Sequence, residues 1–106
     1  MRIVKRSTHQ KGLILTFDVD GDFVDILFLH HALVRIKKWN LDEERVGEAL
    51  LFPEEVLIGH NNRYIAHRRY DEYIIRAVYE YEDNLPVVIT VYFPKAARYC
   101  GCSENR

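Results

Sequence analysis

The chain has 106 residues, 48 % of them hydrophobic and 29 % charged, which is one domain's worth of ordinary globular composition and excludes collagen-like, coiled-coil and disordered readings. Lys and Arg number 15 against 16 Asp and Glu, a formal net charge of −1, so nucleic acid is not held by bulk positive charge and any such contact needs a local basic patch. The longest apolar runs, such as Val87 to Val91, fall far short of the roughly 18–20 residues of a membrane span. Met1 to Arg6 leads into polar residues rather than a secretory apolar segment, so the expected location is cytoplasmic, with no membrane partner.

Residues 1–12 show no clear period and are expected to be loosely ordered, within a single domain over 1–106. Leu13 to Val19 and Phe23 to Phe28 are β-rich runs around Asp20-Gly21-Asp22, a hairpin signal because Asp and Gly tolerate positive φ. From Leu29 to Trp39 the apolar spacing becomes i, i+4, i+7 through Leu29, Leu33 and Ile36, which predicts an amphipathic helix. Asp42 caps a second helix that runs to about Phe52, with Leu41 and Val46 as its hydrophobic staple and Pro53 as its stop. Strands are predicted over Val56 to Gly59, Arg63 to Tyr70, Tyr73 to Glu82 and Val87 to Phe93, with turns at Asn61-Asn62, Asp71-Glu72 and Asp83 to Pro86. The order β-β-α-α-β-β-β-β implies an α+β fold with two helices packed on one face of an antiparallel sheet. Residues 100–106 are expected to form a flexible tail. Cys100 and Cys102 sit one residue apart, too close for an unstrained disulfide and too few for a structural zinc site, so neither metal nor cofactor is expected.

No glycine-rich phosphate loop, GxSxG, HExxH or paired CxxC occurs, and the chemistry must lie in clustered basic and aromatic residues. His31 and Arg35 are i and i+4 on the first helix and share a face. His67 and Arg69 share a strand face by parity, where a guanidinium could clamp a phosphate and the imidazole act as acid or base. Tyr92, Lys95, Arg98 and Tyr99 interleave basic and aromatic groups, a pattern suited to RNA backbone contact and base stacking. Each cluster also fits a plain solvated surface.

The ordered set His31-Ala32-Leu33-Val34-Arg35, Leu41-Asp42-Glu43-Glu44-Arg45-Val46, Ala49-Leu50, Pro53-Glu54-Glu55-Val56 and Val87-Val88-Ile89-Thr90-Val91-Tyr92 resembles the small prokaryotic family with an HAxxR motif, which is similar to the RelE/ParE-like toxin superfamily and its BrnT branch. Trp39-Asn40 stands where that family often has Arg-Gly. The resemblance implies the same α+β fold and an endoribonuclease toxin paired with a small antitoxin, acting on RNA or the ribosome, with a homodimer as a further possible assembly. It marks His31, Arg35, His67 and Arg69 as catalytic and Lys95, Arg98 and Tyr99 as RNA-binding, to which the basic and aromatic pattern adds Tyr92. The 2′-hydroxyl of RNA would attack the adjacent phosphate without a metal. The alternative is a non-catalytic interaction module on the same fold, which the near-zero net charge suits.

Overall fold

The structure, a computed structural model, describes residues 1–97. In chain order the elements are β1 (Arg2–His9), β2 (Gly12–Val19), β3 (Asp22–Leu29), α1 (His30–Lys38), α2 (Glu43–Leu51), β4 (Glu55–Ile58), β5 (Tyr64–Tyr70), β6 (Tyr73–Glu82) and β7 (Leu85–Tyr92). They form an α+β fold with one seven-stranded sheet in the order β1-β2-β3-β7-β6-β5-β4. Five of its neighbouring pairs are antiparallel, while β3 and β7 run parallel through Leu27↔Val87 and Phe28↔Val88.

Two expectations are corrected. Residues 2–9 are a strand rather than a loose segment, so three strands precede the helices. Only Ile3, Ser7 and His9 are half-buried there, and the register shifts between Ile3 and Lys5, so the period of two that marks a half-buried strand is broken in the sequence. The sheet is not wholly antiparallel either. The hairpin β2–β3 joins the rest through its last strand, and the long connection that a parallel neighbour requires is made by α1, α2 and the strands β4, β5 and β6.

Local chemistry explains both helices. α1 ends in a Schellman arrangement: Asn40 takes φ 56°, its N–H donates to Lys37 O, and the Leu41 N–H reaches back to Ile36 O at 2.9 Å. Leu41 and Ile36 supply the accompanying apolar contact positions. α2 starts where Asp42 Oδ1 accepts from the Glu44 N–H at 3.0 Å, with Glu43 and Glu44 in the first turn favouring the positive end of the helix dipole.

Ala32, Ile36, Val46, Ala49 and Leu50 pack on Leu15, Phe17, Ile26, Phe28, Ala77, Val88 and Val91, so both helices cover one face. The first turn of α2 touches β1 (Ile3 N–H to Glu44 Oε2, 3.0 Å) and its last residues touch β5 (Arg68 Nη1 to the Phe52 carbonyl, 2.7 Å). α2 and its C-cap therefore reach from β1 to β5 across the covered face.

Candidate functional site

The face turned away from the helices carries a row of side chains that crosses four strands in register. Glu55 on β4 lies directly opposite His67 on β5, His67 opposite Arg76 on β6, and Arg76 opposite Tyr92 on β7. Because directly opposed residues project to the same side of a sheet, all four point one way. α1 extends the row. It runs beside the second half of β7, where β3 has ceased to pair, and places the Arg35 guanidinium 5.4 Å above the Tyr92 ring.

Hydrogen bonds link the first three members. His67 Nδ1 is 3.2 Å from Glu55 Oε1, and Arg76 Nη1 is 2.8 Å from His67 Nε2. A guanidinium only donates, so Nε2 accepts and the imidazole proton resides on Nδ1, facing the carboxylate. His67 is only 5 % exposed, and this burial pulls its pKa below the ordinary 6.5; the Glu55 hydrogen bond opposes the shift and the Arg76 charge reinforces it. The ring is therefore neutral at pH 7, with its tautomer fixed from both sides. That is the arrangement in which a carboxylate orients a histidine and stabilises the cation it forms on taking a proton.

The other end of the row is short of partners. Arg35 Nε and Thr90 Oγ1 are the two buried side-chain polar atoms among the described residues that lack a hydrogen bond. Thr90 is 8 % exposed and lies opposite Val78, on the same face as Tyr92 and two residues before it. A bulge between Val78 and Tyr79 makes this so, since it leaves Ile89 as the extra residue and turns both Thr90 and Tyr92 to the row's face. Buried polar groups in proteins are satisfied as a rule. Arg35 Nε and Thr90 Oγ1 are thus buried, unpartnered groups at the end of the row that holds the Tyr92 ring.

Of the residues expected from sequence, the structure brings together His67, Arg35 and Tyr92. His31 is exposed one helical turn before Arg35. Arg69 shares His67's face but is tied into its own hairpin end, with Nε donating to Asp71 O at 3.0 Å and its N–H to Glu54 Oε1 at 3.0 Å. Lys95 bridges Tyr73, on the side of the stacked Tyr73 and Phe93 rings, and does not join the row. Arg98, Tyr99 and the two cysteines lie outside the described residues. Arg76, Glu55 and Thr90 were not anticipated.

A cavity of about 590 Å³ opens at the β5–β6 turn, lined by Tyr70, Asp71, Glu72, Tyr73 and Phe93; its carboxylates disfavour a phosphate there. Among the described residues no cluster of three or more His, Cys, Asp or Glu could hold a metal ion, and no helix is long and apolar enough to cross a membrane. Compared with protein-family models, curated proteins and solved structures, the chain matches none.

Proposed function

We propose that this chain is an endoribonuclease of the toxin type, held in check by a small antitoxin protein, which cleaves RNA at the Glu55–His67–Arg76–Tyr92–Arg35 row. The observation that carries the reading is the hydrogen-bonded chain from Glu55 through His67 to Arg76, which lies opposite Tyr92, the ring that Arg35 covers. In this scheme Arg35 and Thr90 bind nonbridging oxygens of a phosphodiester and Tyr92 stacks the neighbouring base. Arg76 turns from His67 to the phosphate, which frees the Nε2 lone pair. His67 then takes the 2′-hydroxyl proton, Glu55 stabilises the imidazolium, O2′ attacks phosphorus, and the P–O5′ bond breaks to leave a 2′,3′-cyclic phosphate. The departing 5′-oxygen takes its proton from solvent, and the side chains of the row supply the base and the positive charge.

The test is incubation of the purified chain with RNA in EDTA, followed by end-group analysis, together with induced expression in bacteria. Cyclic-phosphate ends and growth arrest are expected. His67→Ala and Arg76→Ala should each lower cleavage by roughly 100-fold or more, as loss of a general base or a charge-stabilising donor does. Intact RNA with normal growth, or cleavage that survives His67→Ala, would refute the reading. The second reading, a non-catalytic interaction module, is favoured by one observation: Nε2 is already engaged by Arg76 in the resting arrangement.

A further inference from the structure

The two edges of the sheet are built differently. β1 carries Arg2, Lys5 and Arg6 and a register shift, the features by which edge strands resist pairing with other chains. β4 has no cation and no register shift along Glu55–Ile58, its single charge being Glu55, and all four of its residues are exposed; Ile58 reaches 81 %. Its outward hydrogen-bonding groups follow from the ladder. The Gly59 N–H donates to Arg63 O at 2.8 Å, so in the alternation of an antiparallel pair residues 55, 57 and 59 turn their polar groups toward β5. Val56 and Ile58 then turn theirs outward.

We propose that a second copy of this chain adds to β4 in antiparallel register, with Leu57 on the twofold axis, joining two sheets into one. The proposal is independent of any ribonuclease activity. The outward groups select the register. Centring the pair on Val56 sets Glu55 against Leu57 and Glu54 against Ile58, which places carboxylates on apolar side chains. Centring it on Ile58 sets Val56 against His60 and Glu55 against Asn61, in the turn where Asn61 and Asn62 have positive φ. Centring it on Leu57 uses every outward group, with Val56 facing Ile58 on both sides of the axis, for four backbone hydrogen bonds. It brings Glu55 opposite Gly59, leaving the Glu55–His67 contact undisturbed, and sets Glu54 level with His60, a pairing of opposite charge when that histidine is protonated. The strand is thus complementary to itself, as an isologous interface requires. A foreign strand would need no such symmetry.

In the pairing proposed, Leu57 faces its own copy as a non-hydrogen-bonded pair with Cα atoms about 4.5 Å apart, within disulfide range. Val56 would lie about 8 Å from its own copy, because it is offset by two residues, which is too far to bridge. In a Cys100→Ser/Cys102→Ser background, oxidised Leu57→Cys should therefore run as a covalent dimer and Val56→Cys as a monomer. Light scattering after gel filtration should show a dimer for the unaltered chain, and Leu57→Lys, which sets two ammonium groups together at the axis, should be a monomer with an unchanged circular dichroism spectrum. A monomeric unaltered chain, a Leu57→Lys dimer, or equal cross-linking of the two cysteine variants would overturn the proposal. If β4 receives the strand of another protein instead, the unaltered chain alone is monomeric, which counts against it.

Discussion

Gly47 lies at the middle of α2, and a Cβ built there would overlap Cε2 and Cζ of the Phe17 ring. Phe17 is fully buried among Leu15, Ile26 and Phe28, so the ring has little room to give. Gly47→Ala therefore sets two effects against each other. In a free helix the change would stabilise by about 1 kcal/mol, because alanine loses less backbone entropy. Overpacking a dense core costs about 1–3 kcal/mol, and a contact this short on an aromatic ring belongs at the upper end. The expected balance is a net loss of about 1–2 kcal/mol. With an unfolding entropy of about 0.2 kcal/mol/K for a chain of this length, the melting temperature should fall by roughly 5–9 °C in calorimetry. Adding Phe17→Leu should recover part of that loss, so the double variant would be more stable than the sum of the single changes implies. An unchanged or raised melting temperature for Gly47→Ala alone would refute the close seating of α2 on β2.

Two more outcomes follow from the row. His67 has a lowered folded-state pKa, so the unfolded chain binds the extra proton first, and stability should fall as pH drops below about 6.5 and rise again as pH returns. Urea midpoints between pH 5 and 7 should show that slope in the parent chain and a flatter one in His67→Gln; equal slopes would contradict the buried neutral imidazole. Thr90→Val removes a buried hydroxyl that lacks a partner while keeping its shape, so it should raise stability by about 1 kcal/mol. A destabilised Thr90→Val would mean that the hydroxyl is satisfied in the fold.

Much of the site could have been calculated from turns legible in the sequence. Asp71-Glu72 joins Tyr70 to Tyr73, and counting back along both strands puts Arg76 opposite His67. The Asn61-Asn62 turn, with Gly59 level with Arg63, puts Glu55 opposite the same histidine. Parity along a single strand grouped His67 with Arg69 instead, and Arg69 spends its Nε on the turn carbonyl of Asp71. Cross-strand neighbours, rather than neighbours two residues apart on one strand, decide which side chains meet. The helices were legible because their signals are local: the Asp42 cap, the apolar spacing and Pro53. β1 was not, since an edge strand with one bulge and few buried residues leaves no period. Nor was the parallel joint of β3 and β7, which depends on two strands far apart in sequence and on the helices and strands that connect them.

The bulge in β7 is the step no counting would have supplied. Glu82 and Leu85 close the β6–β7 turn, and an unbroken ladder from there would set Arg76 against Val91 and send Tyr92 and Thr90 to the helix-covered face. The extra residue, Ile89, moves the later pairing by one, so that Val91 enters the core and Tyr92 and Thr90 join His67 and Arg76. Deleting Ile89 should then leave every later pair in place, because Val88 already faces Tyr79 and Thr90 already faces Val78. Deleting Val91 keeps the bulge, removes a fully buried side chain and drives the Tyr92 ring toward the core. The Ile89 deletion should fold with a modest fall in melting temperature, and the Val91 deletion should lose cooperative unfolding at 25 °C. Equal losses from the two deletions would show that the register beyond the bulge is held by something other than this one residue.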